Sequence, residues 1–264
     1  MIRAYRAELT KLLRRKILLL TAAFAVVFGA GASAIVVSAA EPARDLARGA
    51  SRTLSIEALA EAGGGTQIFR SAVSFAGFFV LVVFIGWTAI EFSRGTMRTM
   101  LLRQPRRLQL LGGKIAALLT YAAVTLAGIE IVSWITARLL APGSGIDTAA
   151  WTSFDALGSA VTDYGAVLLW VTGYAILGTA LAVGLRSVVV ALAVGIAWFG
   201  PFEHIIQNNW SGASRIFPGL GLEAFAAGGT TDVTVGRALT VAALYALAAA
   251  VVACALFARR DVTA

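Results

Sequence analysis

EFSRGTMRTMLLRQPRRLQLLGGK, residues Glu91–Lys114, lies between two apolar runs. It holds six basic residues (Arg94, Arg98, Arg103, Arg106, Arg107 and Lys114) and one acid, Glu91. A connection that only turned the chain around needs about four residues. This one is long enough to carry structure of its own. Ser93 and Thr96 are candidate caps for a short helix. Met97, Met100 and Leu101 line one face of that helix, with Arg94, Arg98 and Arg103 around them. Pro105 predicts its end, and Gly112-Gly113 a loose lead into the next run. Such a helix suits either of two surfaces. It can lie on lipid headgroups, or it can insert its Met/Leu face into a partner protein.

The surrounding chain sets the solvent. Of 264 residues, 59% are hydrophobic and 14% charged, and mean hydropathy is +0.82. Soluble domains carry about 25% charged residues, so a chain this apolar belongs in a bilayer. Six runs approach the roughly 20 residues needed to cross as a helix. They are 17–40, 71–90, 115–140, 164–184, 188–206 and 238–257. None alternates with period two, which argues against strands. The expected fold is therefore all-α: six transmembrane helices, an N-terminal interfacial helix, a cytosolic helix after the second span and a re-entrant outer segment before the sixth.

Charge orients it. The side of the termini and of the Glu91–Lys114 insert holds 15 of the 22 basic residues, and the opposite side the other 7, among them Arg44, Arg48, Arg52 and Arg138. Positive charge stays inside, so both termini are expected in the cytoplasm and the chain as a multi-pass protein of a bacterial-type inner membrane. Glu8, Glu91 and Asp261 are the only acids on that side. The net charge of +8 clusters beside apolar runs rather than along one polar face, which speaks against nucleic acid as a partner. The first run is too long for a cleaved signal core and reads as a retained anchor.

Ahead of it, Ile2, Tyr5, Leu9, Leu12 and Leu13 recur at helical spacing within residues 1–16. Lys11, Arg14 and Arg15 lie among them, as expected of a basic interfacial helix. Arg106 and Lys114 read as further headgroup anchors, Lys114 by snorkelling. On the outer side, Leu46, Leu54, Ile56, Leu59 and Ile68 are spaced for short helices. Pro201 predicts a break in the fifth run, followed by the polar group of Glu203 and His204. Cys254 reads as a small packing residue. Gly173, Gly178, Gly184, Ala246 and Ala250 allow close helix approach.

Catalytic constellations are missing. With one histidine there can be no HExxH zinc pair, and no GxSxG elbow occurs. Gly112-Gly113-Lys114 falls short of a phosphate loop: Leu108 stands where Gly is needed, and Ile115 where Ser or Thr would hold magnesium. No metal, cofactor or ATP site is expected in this chain. Glu130 is the one acid deep within a run. Sixteen residues beyond Lys114, it lies about 24 Å along a helix. An intramembrane acid is a candidate for a pathway or gate, as are Glu203 and His204.

Three segments in order carry a resemblance. They are Glu8-Leu9-Thr10-Lys11-Leu12-Leu13-Arg14-Arg15; the block with Glu91, Gly95-Thr96, Leu101-Leu102, Pro105, Arg107 and Gly113-Lys114; and Phe257-Ala258-Arg259-Arg260-Asp261-Val262. Together the chain resembles a permease of the type-2 ABC exporter family over essentially all of 1–264, as one transmembrane domain. The resemblance implies two permease chains around a central pathway, each docking a separate cytosolic ATPase that holds ATP and magnesium. The docking element would be the coupling helix, with Glu91, Gly95, Thr96, Met97, Arg98, Met100, Leu101, Pro105 and Arg107. It also implies outward movement of an amphiphilic drug-like or lipid-like substrate. Glu130 matches no motif of that family. Two other readings use the same residues: a proton-coupled secondary transporter with Glu130 as carrier, and a membrane subunit that senses or scaffolds without transport.

Overall fold

The computed structural model describes residues 1–43, 54–74, 76–230 and 232–259. Leu46, Arg44, Arg48 and Arg52, and Arg260, Asp261 and Val262 of the tail motif lie outside them. The described residues are mostly helical, without a strand; their one extended pairing is an isolated bridge between Glu41 and Ser55.

In chain order the helices are α1 (Ile2–Leu12), α2 (Arg15–Ser38), α3 (Ile56–Ala60), α4 (Gly64–Ser74), α5 (Gly77–Ser93), α6 (Thr96–Arg103), α7 (Arg107–Leu140), α8 (Phe154–Leu185), α9 (Val188–Ala197), α10 (Glu203–Asn209), α11 (Pro218–Ala226) and α12 (Val235–Arg259). Local chemistry sets several boundaries. Ser55 and Ser187 cap α3 and α9 by accepting N–H bonds from Ala58 (3.1 Å) and Val190 (3.4 Å). Pro218 begins α11, where its missing N–H costs nothing. Pro105 separates α6 from α7.

Five segments are long and apolar enough to cross a membrane: Arg15–Ser38, Arg107–Ser144, Phe154–Leu185, Val188–Asn209 and Val235–Arg259. The run expected over 71–90 is divided between α4 and α5, which together would make a sixth. Leu20 and Val27 on α2 and Leu247 and Val251 on α12 are exposed, as lipid-facing residues are.

The structure corrects the reading at Pro201. The chain does not break there. Trp198–Phe202 forms a π-helical turn containing the proline, and helix continues to Asn209. A wider turn tolerates both the ring and the absent N–H. The fourth run is longer than expected: α8 begins at Phe154 rather than 164. Cys254 is exposed rather than packed.

The chain forms two compact units. The first comprises Met1–Leu12, Ala76–Tyr121 and Leu169–Ala264, the second Leu13–Phe75 and Ala122–Leu168. In the first unit, Trp170 and Tyr174 of α8 are fully buried, and Tyr174 stacks edge-on against both Trp170 and Phe199. A Cβ on Gly77 would lie 2.7 Å from the Tyr174 ring, and one on Gly173 2.5 Å from Leu222. These glycines are contact points between helices. In the second unit the core joins Val37, Leu59, Ile68, Ala137, Ile146 and Trp151. The Trp151 indole donates to the Leu59 carbonyl at 2.8 Å.

Candidate functional site

The first unit holds the basic segment Glu91–Lys114. α5 ends at Ser93, and Gly95 adopts φ +67, a left-handed conformation that favours glycine. α6 then starts at Thr96. Neither Ser93 nor Thr96 caps it; Gly95 occupies the cap position. Thr96 instead donates to the Glu91 carbonyl at 3.3 Å, and the Ser93 hydroxyl accepts from the Val188 N–H at 3.2 Å. α6 is thus tied to the end of α5, and the end of α5 to the start of α9.

Its faces differ from expectation. Met97 is 1% exposed, in a core with Ala4, Leu110, Leu111, Val183 and Phe257. It fastens α6 to its support instead of presenting to a partner. Met100 and Leu101 are half-buried against the same core. The outward surface is made by Arg98, Thr99, Leu102 and Arg103, with Leu102 79% exposed. Pro105 and Arg106 are exposed too. Arg107 donates at 3.4 Å to the carbonyls of Phe257 and Ala258, at the end of α12. A cation there satisfies terminal carbonyls and complements the helix dipole.

Beneath α6 lies a buried ion cluster drawn from α1, α5 and α7. Lys114 Nζ is 2.8 Å from Glu91 Oε1 and 3.4 Å from Glu8 Oε2. Lys11 Nζ bridges the same acids at 3.1 Å and 2.6 Å. The Trp87 indole donates to Glu8 at 3.1 Å, and Lys114 sits 5.9 Å from its ring centroid. Glu8 and Lys114 are each only 2% exposed. Two acids and two bases balance, the condition under which burial is tolerated. Burial presses Glu8 toward neutrality, but Lys114, Lys11 and the Trp87 N–H outweigh it and hold its carboxyl below the ordinary range. Burial likewise works against the charge on Lys11, and Glu8 and Glu91 more than offset it, raising the amine above its usual value.

Two expectations fall here. Lys114 does not snorkel; its ammonium has partners inside the protein, so it gains nothing by reaching for water. Nor do Gly112-Gly113 loosen the chain, since both lie within α7. A Cβ on Gly113 would stand 2.8 Å from Ala4 Cβ and from the Met1 carbonyl oxygen. The glycine lets α1 seat directly on α7. Arg14 and Arg15 remain exposed at the start of α2.

The three candidates for a pathway or gate divide. Glu203 is fully buried, and its Oε2 accepts the Leu220 N–H at 2.9 Å in the first turn of α11. A carboxylate satisfies an orphan donor there and faces the positive end of the dipole. His204 is bound at both ring nitrogens, Nδ1 to Gly200 O at 2.7 Å and Nε2 to Glu223 Oε2 at 3.2 Å. Both residues hold α11 in place, and neither forms a metal site: among the described residues no group of three His, Cys, Asp or Glu could hold an ion. Glu130 belongs to the second unit, where it lines a cavity of about 650 Å³.

Residues 57–263 match a family model described as protein of unknown function (DUF2705). The chain belongs to that family. No curated protein and no solved structure matches it.

Within this DUF2705 chain the motif blocks contain Glu8, Lys11, Glu91 and Lys114 but do not show that these residues pair with one another. Trp87 lies outside both blocks. One signal was present: Glu8 and Glu91 are two of the three acids on a strongly basic side, and isolated acids among bases are natural partners for them. Glu223, the partner of His204, and the Asp163–Arg70 pair at 3.1 Å carried no such signal.

Proposed function

We propose that this chain is the membrane permease subunit of an ATP-driven exporter of the ABC type. It pairs with a second permease chain and docks separate cytosolic ATPases, which hold ATP and magnesium. It moves an amphiphilic substrate outward, with six spans, α4 and α5 serving as one, and both termini cytoplasmic. One observation carries the reading: α6 is a short basic helix on a stiff mount. Met97 pins it to the core, and the charge cluster locks α1, α5 and α7 under it. Arg98, Leu102 and Arg103 face outward with nothing of the first unit over them. A load on this face would pass through Met97 to α7 and through the Glu91 turn to α5. A helix that only lay on lipid would need no such base. The placement of the other basic residues supports a cytoplasmic position for it.

The test is co-purification. The full chain, tagged and purified from the membranes of its native host, should bring down an ATPase chain that carries a phosphate loop and an ABC signature. Arg98→Glu, Leu102→Asp and Arg103→Glu together should abolish association and ATP-dependent transport while leaving the permease monodisperse, because all three side chains lie outside the core. Full ATPase binding and turnover by that triple variant would refute the proposal.

A further inference from the structure

The cavity of the second unit is unused by any of this. Glu130 enters it from α7, and among the described residues its Oε1 is buried without a hydrogen-bond partner. A buried carboxylate oxygen left unpaired is costly. The protein's own cations nearby are engaged. Arg70 is paired with Asp163, which also accepts from Thr66 at 2.9 Å. Arg138 lies 5.6 Å from the Trp134 ring centroid and donates to the Thr148 carbonyl at 3.3 Å.

Aromatic rings complete the wall. Trp134, Trp151 and Tyr164 line the same space as Glu130. The Tyr164 hydroxyl is committed to the Ala123 carbonyl at 2.9 Å, and the Trp151 N–H to Leu59. What these two side chains offer a ligand is ring surface. Gly65 keeps the wall tight, for a Cβ there would fall 2.9 Å from the Trp134 ring and 3.0 Å from Trp151. The rim is apolar and open. Ile131, Leu157 and Val161 are each at least 60% exposed, on helices long and apolar enough to meet acyl chains.

We propose that this cavity binds a lipophilic organic monocation, its charged centre between Glu130 and the aromatic rings and its apolar part leaving over Ile131, Leu157 and Val161. The alternatives fit less of what is there. An anion would meet Glu130. A divalent metal would lack a set of three ligands. A neutral apolar molecule would leave the Glu130 oxygen buried and unpaired. A carboxylate with ring faces recognises a bulky cation without needing hydrogen-bond donors from it, and the volume lies within the range of small-molecule sites. The cation has two sources, a free amphiphile or the quaternary ammonium head of a membrane lipid.

The inference does not rest on the ATPase reading, so its test uses the full chain alone. Radiolabelled tetraphenylphosphonium is titrated onto the purified protein in nanodiscs. Saturable binding is expected, weakened roughly tenfold or more by Glu130→Gln, as for loss of a charge-assisted contact. Ala160→Trp, which fills the cavity without touching the charge, should abolish it. Tetraphenylborate, alike in size and opposite in charge, should not compete. Discs of phosphatidylcholine are compared with discs of an uncharged galactolipid, which has no ammonium head and no surface charge to concentrate the probe. Equal affinity in both identifies a free cation, and weaker binding in the choline discs identifies a lipid head. Either supports the site. Unchanged binding in Glu130→Gln would overturn the proposal. So would a monodisperse wild-type chain that binds none of the probe, the result expected if Glu130 only takes up a proton.

Discussion

Replacing Lys114 by methionine tests whether the charge cluster is the mount for α6. Methionine keeps the length and can still pack on Trp87, so the change is chiefly one of charge. It removes contacts of 2.8 Å to Glu91 and 3.4 Å to Glu8, and all three side chains are at most 11% exposed. Breaking a buried pair this way costs about 3–5 kcal/mol. The lower end applies, because Lys11 stays within 3.1 Å of both acids, though its own side chain is 37% exposed and partly screened. At about 2–4 °C per kcal/mol for a chain of this order of size, about 3 kcal/mol lowers the melting temperature by roughly 6–12 °C. The assay is thermal unfolding in detergent, joined to a local probe. With Cys254 replaced by alanine, a cysteine at Leu12, 3% exposed on α1, should react with maleimide faster once Lys114 is gone. Adding Glu91→Gln to Lys114→Met restores the charge balance and should recover part of the loss. An unchanged melting temperature, or a double variant no better than the single, would refute the role given to the cluster.

Adjacent glycines should behave oppositely. Gly113→Ala drives a methyl into Ala4 and the Met1 carbonyl and should cost about 1–3 kcal/mol, whereas Gly112→Ala, with nothing nearer than 3.9 Å, should be neutral or stabilise by about 0.5–1 kcal/mol; melting temperatures decide. Glu203→Ala strands the buried Leu220 N–H and should cost about 1–3 kcal/mol, with Glu203→Gln milder because it keeps an acceptor. The hold on α1 should also depend on pH. The Glu8 contribution is complete above its ordinary 4.5 and lost as pH falls through its lower value in the folded chain. That of Lys11 is complete below its ordinary 10.5 and lost as pH rises through its higher folded value. A spin label at exposed Ala7 should therefore gain mobility at both extremes and stay ordered between.

What could be read from the residues was mostly what depends on near neighbours. Apolar runs mark α2, α7, α8, α9 and α12, since length and hydropathy are local. Pro105 marks the gap before α7 for the same reason. The direction in which a side chain points was not legible. Met97 looked like a contact for a partner, but the core that buries it includes Phe257, 160 residues later. Lys114 looked like a lipid anchor because Glu8, which pairs with it, belongs to the first helix. Gly112-Gly113 read as slack because the spacing cannot say that another backbone lies against the second glycine. Pro201 read as a break because the wider π turn that absorbs it has no mark of its own. At the candidate site, the cluster escaped notice because its members are spread over three helices, α1, α5 and α7, so no window of sequence contains it.

The seat of α1 on α7 also implies an order of events during synthesis. Lys11 and Glu8 are made about a hundred residues before Lys114, which at 5–20 residues per second is on the order of 5–20 s. Throughout that interval a basic amphipathic segment exists without the ammonium it will finally face, and for most of it without the Glu91 carboxylate as well. Its apolar side has the membrane surface to rest on meanwhile. The last step is then a transfer from lipid to protein, made when Gly113 arrives. Until that transfer occurs α6 has no foundation, so the nascent chain would not present the surface of Arg98, Leu102 and Arg103 before its own third apolar run was in place.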